Sequence, residues 1–473
     1  MQRKALKIEN WSGGLSDSPL MGIKGSYAEG VGLNIHEYPH LLTVNQKLTK
    51  NSGSVVTELC KNAVNSTDGS SYWFSTTTGK IWKRTSTGTW SLIHTNANGA
   101  CVGAKEWDDY IYFASNAKLG RYGPLSGSAE WTDSWNNLTS ASFHPMEVQS
   151  IYLIIGNAST VATVDDTGTF TANGTSLVPF ISLPSNQIIR SIRKFGGDIL
   201  MGTYSTDNNT PAMLIRWDCV SQSYLSDPPD IPETSIQTII TQGTYAYVIA
   251  GNFGKIYYYD GTTLVPFKII PGDYTSSAYI NCYSEAECKF LGRACFGISN
   301  GQGNSTLQGI YSLGQHDRNY PIALNLDYPI STGETSSLDI GVLLVIDKDL
   351  YVSWKTTTNV GIDKIDWSLK QENAYIKQLV ITGDREKSKI FRDFVVNYKS
   401  KPSGTNLTLD YYANYTNNAE EIFLRDKSTD YKFIGEQNIP CGALQARLTF
   451  TVSGNNAPIV ESIYITFDQE QTL

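Results

Sequence analysis

The five histidines, at positions 36, 40, 94, 144 and 316, are the first place to look for chemistry. His36 and His40 stand four apart, the spacing at which two imidazoles on one helix face can hold zinc. Pro39 lies between them and denies that helix, so the segment reads as a loop. Adjacent carboxylates occur at Asp108-Asp109 and Asp165-Asp166, beside turn residues where carboxylates cap backbone N–H groups. Cysteines stand at 60, 101, 219, 282, 288, 295 and 441. The odd count and scattered spacing describe no disulfide framework. Cys282, Cys288 and Cys295 cluster without a CxxC pair or a histidine at zinc-ligand spacing, and read as small buried hydrophobes. No GxSxG elbow, Walker loop or GxGxxG between strand and helix is present. No catalytic residue, no cofactor-binding residue, no metal ligand and no cofactor is therefore expected. Two convergent carboxylates would be the route to a glycosidase, the least favoured alternative.

The elements that would position any site are β-strands. The chain has 473 residues, enough for two or three domains, with 28 Tyr, 40 Gly and only 17% charged residues. Aromatic and β-branched residues suit a pleated surface, and Gly and Asn suit tight turns. The net charge of −8 and pI near 5.3 argue against nucleic-acid binding, which needs clustered Lys and Arg. No apolar run approaches the roughly 20 residues of a membrane span, so no membrane insertion is expected. The opening MQRKALKIENW lacks the apolar stretch of a signal peptide. The Asn-x-Ser/Thr triplets at Asn65, Asn157, Asn173, Asn304, Asn406 and Asn414 accordingly read as unmodified turns.

A repeat sets the expected fold. Short apolar-aromatic runs begin at Tyr72, Tyr110, Ile151, Ile199, Tyr245, Ala294 and Leu350, at gaps of 38, 41, 48, 46, 49 and 56 residues. Such gaps suit blades of four strands. Second strands follow, among them Lys80-Ile81-Trp82-Lys83 and Lys255-Ile256-Tyr257-Tyr258. The segment Asn173-Gly174-Thr175-Ser176-Leu177-Val178-Pro179-Phe180 recurs almost literally at Asp260 to Phe267. The expectation is an all-β chain: a β-propeller of about seven blades over 51–372, then an antiparallel, jelly-roll-like β-sandwich over 373–473. Strict alternation in Leu444, Ala446, Leu448, Phe450 and Val452, and in Ile463, Ile465 and Phe467, marks sandwich strands with one buried face. Residues 1–50 form an N-terminal arm; its strand-like run Leu41–Leu48 would close the ring, or the arm would lie on a neighbouring subunit.

Sialidase-like propellers carry a turn of the form Ser-x-Asp-x-Gly-x-x-Trp. Ser86-Thr87-Gly88-Thr89-Trp90 and Asp166-Thr167-Gly168-Thr169-Phe170 resemble fragments of it, each a residue short, and read as hairpin turns. A second resemblance is broader. Gly32-Leu33-Asn34-Ile35-His36-Glu37-Tyr38-Pro39 through Lys50 resembles the opening of propeller-containing virion proteins of tailed bacteriophages. Tyr311-Ser312-Leu313-Gly314 with Asn319 to Tyr328 resembles their late propeller segment. This likeness implies a non-enzymatic structural protein of the virion, made in the host cytoplasm and placed in the tail or tail-to-capsid region. Its partners would be other virion proteins, with a homo-oligomer in the particle. The alternative is a host-attachment adhesin binding a surface glycan through some of the Trp and Tyr side chains.

Overall fold

The computed structural model describes residues 2–172, 180–207, 209–224, 227–229, 231–271, 280–299, 308–332, 337–382 and 389–469. Among these the chain is all-β, with one short 3-10 turn, Ser428–Asp430, as its helical element. It divides into two compact units. One comprises 50–308 and 332–364; the other comprises 1–49, 309–331 and 365–473. The boundaries read from sequence, at 50 and 372, lie near two of these limits. The return of 309–331 to the terminal unit had no counterpart in that reading.

The larger unit is a succession of antiparallel meanders. Cys60–Asn65, Ser71–Ser75, Lys80–Arg84 and Trp90–Thr95 form one sheet; Gly103–Trp107, Tyr110–Ala114, Lys118–Gly123 and Glu130–Asn137 form the next. Sheets beginning with Met146–Gln149, Gln187–Phe195, Ile236–Gln242, Glu287–Phe290 and Asp339–Ile346 follow in chain order. Each of these first strands lies against the first strand of the following sheet, and Asp339–Ile346 lies against Cys60–Asn65. The ring is therefore closed, and closure by stacked meanders makes this unit a β-propeller.

The apolar runs are uninterrupted because the second strand of each sheet is buried on both faces. Phe113 packs with Tyr72, Phe74 and Ile81 of the preceding sheet, while its neighbour Tyr112 packs with Leu153, Ile155 and Val164 of the following one. Ile154 in turn faces Ile189, Ile199 and Trp217. Trp73 and Trp82 meet Val342, Tyr351 and Ile362, joining the first sheet to the last. Gly202 and Gly297 permit this approach. A Cβ on Gly202 would stand 2.5 Å from Ile236, and one on Gly297 would stand 2.3 Å from Ile340. The chain joins the last sheet through the strand Gln46–Lys50, which lies beside Val360–Lys370, and beyond it the amides of Asn51 and Ser52 both donate to the Ile362 carbonyl. The run Leu41–Leu48, expected to close the ring, is divided: Leu42 bridges Val460, Thr43–Val44 pairs with Leu33–Asn34, and Gln46–Leu48 belongs to the strand that completes the last sheet.

The terminal unit has a sheet ordered Gln2–Ile8, Ile459–Gln469, Lys389–Ser400, Lys432–Pro440, Arg425–Lys427. Gln2 pairs with Gln469 and Ile8 with Ile463, so the first and last described strands are neighbours. The opening residues thus belong to a sheet of the terminal unit. Ala323–Tyr328, Glu29–Val31, Tyr375–Lys377, Leu444–Thr451, Asn406–Ala413 and Glu420–Ile422 follow one another in a second sheet. Leu444, Ala446, Leu448, Phe450, Leu407 and Leu409 are buried, as their alternation predicts.

Candidate functional site

Inner strands that meet around an axis bring together residues distant in sequence. At the starts of these strands, Arg190 donates from Nη1 to Ser235 Oγ at 2.7 Å and from Nη2 to Asn281 Oδ1 at 3.4 Å. Its guanidinium carbon lies 5.0 Å from the centre of the Phe143 ring. Lys61 Nζ stands 3.7 Å from the centre of the Tyr283 ring, and the Tyr283 hydroxyl donates to Asp339 Oδ1 at 3.2 Å. Burial pushes both cations below their ordinary values; Asp339 pulls Lys61 back up, while Arg190 pushes it further down. Burial, with Asp339 second, raises the Tyr283 phenol well above its usual range.

Deeper along the axis Arg193 is fully engaged. Its Nε donates to Glu287 Oε1 at 2.6 Å, Nη1 to Glu285 Oε1 at 3.0 Å, and Nη2 to the Ser284 carbonyl. Glu147 joins by charge and pairs with Lys105 at 2.9 Å. Burial raises Glu287, Arg193 lowers it, and Glu285 with Glu147 push it up again; the net direction is upward. For Arg193, too, burial opposes the charge, but the surrounding carboxylates outweigh it and hold the guanidinium charged. These pairs bridge the ring internally. At the strand ends a cleft of about 510 Å³ is lined by Asn65, Thr67, Lys105, Glu106, Trp107 and Asp109, among others. Glu106 is occupied there, accepting from the Thr67 amide and hydroxyl.

Sequence residues with chemical potential are placed apart. His36 Nε2 meets Ser312 Oγ at 2.9 Å, whereas His40 meets the Glu9 carbonyl and the Tyr320 hydroxyl. Asp109 caps Ser126, and Asp165 accepts the Thr167 and Thr169 amides. The Ser86–Trp90 segment is a turn whose ends are tied by the Thr85 amide to the Thr89 carbonyl. The copy of the long repeat at 173–179 lies outside the described residues. All seven cysteines are free, and Cys288 faces Cys295 across neighbouring strands. Among the described residues, no group of three or more His, Cys, Asp and Glu is arranged to hold a metal ion.

Neither the axial cluster nor a repeated ion pair was anticipated. Glu58 pairs with Lys80 at 2.9 Å and Glu233 with Lys255 at 2.5 Å, each across 22 residues of sequence. Burial pushes Glu58 up, but hydrogen bonds from Ser75, Lys80 and Thr78 outweigh it and hold the carboxyl at about 2. The recurrence Glu58…Lys80-Ile81-Trp82 and Glu233…Lys255-Ile256-Tyr257 was a signal available in the sequence.

The class defined by this ring is an all-β propeller protein with ion pairs across its axis. No family model matches the chain, and no curated protein matches its sequence. Among solved structures, it is similar to the extracellular domain of the putative one-component system BT4673 from B. thetaiotaomicron, at 14% identity and a TM-score of 0.48. That match covers 81% of this chain and 48% of the other, so the chain spans about half the length of that relative. It is also similar to YCF48 bound to D1 peptide, at 8% identity and a TM-score of 0.46, covering 68% of this chain and 94% of the other. The Neurospora crassa Pan2 WD40 domain gives 10% identity and a TM-score of 0.42, with 68% and 95% covered. The ring itself is defined by its own strand pairings. Among the described residues, no helix is long and apolar enough to cross a membrane.

Proposed function

We propose that this chain is a seven-bladed propeller with a C-terminal β-sandwich, acting as a non-enzymatic structural component of a tailed-phage virion. It serves in the tail or tail-to-capsid region as an oligomeric platform for neighbouring virion proteins. One observation carries the reading: the two stretches that resemble phage virion proteins are joined to each other. The Gly32 amide donates to the Leu326 carbonyl at 3.0 Å, and Asn325 Nδ2 donates to the Leu33 carbonyl at 2.7 Å. Asn45 Nδ2 reaches the Asp327 carbonyl, and His36 meets Ser312. Tyr27 completes the buried cluster by donating to Asn325 Oδ1 at 2.7 Å. A likeness scattered by chance would not be expected to fall on two hydrogen-bonded segments. A buried polar network of this kind specifies one arrangement, since each member left alone would be costly.

The test is proteolytic digestion and mass spectrometry of purified particles of the phage encoding this chain. Its peptides are expected at a constant ratio to the other tail proteins; their absence removes the proposal. A second reading, glycan-binding attachment, is favoured by the exposed rings of Tyr415, Phe423 and Tyr431, which have the character of sugar-stacking surfaces. Binding on a glycan array that is lost in the triple alanine variant would favour it over the platform role.

A further inference from the structure

The starts of the inner strands carry positive charge that, among the described residues, no carboxylate pairs with. Arg190 and Lys61 both sit there, and among the described residues neither forms an ion pair with a carboxylate. Arg190 Nε is buried and, among those residues, has no hydrogen-bond partner. Asp339 offsets one charge electrostatically while accepting the Tyr283 hydroxyl. Lys355 also acts on Lys61 by charge but is exposed to solvent. Among the half-buried described groups Lys61, Arg190 and Asp339 the balance is one positive charge, in a setting where an uncompensated charge is expensive. Three residues further along the same strand, Arg193 has two carboxylates. The contrast lies within a single strand.

We infer that this end of the ring is a binding site for a single carboxylate of a partner polypeptide, either an acidic side chain or a C-terminus. Lys61 supplies the ammonium and Arg190 a second charge beside it, with Ser235 and Asn281 holding the guanidinium in place. The residual charge of one matches a carboxylate better than a phosphate dianion. An acidic sugar fits less well, because cations already cover the Tyr283 and Phe143 ring faces on which a sugar would stack. The inference supplies the chemistry of docking for the platform reading. Its test is independent of particle composition, so either can fail without the other.

The test is calorimetric titration of the full chain at low ionic strength with a hexaglutamate peptide, hexaglutamine, inorganic phosphate and trigalacturonate. Hexaglutamate should bind and hexaglutamine should not. Arg190→Gln and Lys61→Gln should each weaken hexaglutamate about tenfold, the effect of losing one charge-assisted hydrogen bond. The melting temperature of Arg190→Gln should equal or exceed that of the parent. A lowered melting temperature, or equal hexaglutamate affinity in parent and Lys61→Gln, would overturn the inference by making these cations structural. Tighter binding of trigalacturonate or phosphate than of hexaglutamate would overturn the polypeptide assignment.

Discussion

Arg190 and Arg193 lie on one strand, yet their surroundings are opposites. Arg193 sits among Glu285, Glu287 and Glu147, and its donors reach two carboxylates and a carbonyl. Arg190 has a hydroxyl, an amide oxygen and an aromatic ring. In an unbroken strand, residues three apart face opposite sides. The register shifts between Ile189 and Ser191, and Ile189 and Ile192 consequently pack in the same core. The bulge resets the alternation, which lets both arginines be used away from that core. The difference separates a charge that holds the ring together from one left available.

The largest expected effect comes from breaking the paired half. Arg193→Met should destabilise the protein by about 3–5 kcal/mol, because removing one partner leaves buried carboxylates uncompensated. Denaturant unfolding would measure this; a loss below about 1 kcal/mol would mean the axis is wet and screened. A smaller effect is expected from His144, buried beside Phe143, whose ring nitrogens face the Gly156 and Asn116 carbonyls. Burial holds it below the ordinary 6.5 despite the pull of those carbonyls. Protonation therefore favours the unfolded chain, so its contribution is complete above about pH 6.5 and is lost as the pH falls. Melting temperatures across that range should fall less steeply in His144→Gln. The smallest effect belongs to Glu287→Gln, within about 0.5 kcal/mol of the parent. Ionised Glu287 is disfavoured by burial and by Glu285, and glutamine retains an acceptor for Arg193. A loss as large as that of Arg193→Met would make the pair symmetric.

The ring was legible because its second strands are buried on both faces, so that runs such as Tyr110-Ile111-Tyr112-Phe113 and Tyr152-Leu153-Ile154-Ile155 mark each sheet. The alternating strands of the terminal unit were equally plain, as Leu407 and Leu448 show by their burial. The pairing of Gln2–Ile8 with Ile459–Gln469 was not, since a non-local strand contact leaves no periodic mark. Nor was the axial cluster: Lys61, Arg190 and Tyr283 share no motif and meet only through closure. The Asp165-Asp166 turn was legible too: its carboxylate caps local amides, as the turn residues around it imply.

The pairing of the first strand with the last has a consequence for biosynthesis. While the ribosome is still translating, residues 2–8 wait without their partner, and most of the propeller has already emerged. Long-range pairing of this kind forms late and slowly. A tail-truncated polypeptide ending before residue 459 would carry an orphaned leading strand with an open edge, and open edges invite aggregation.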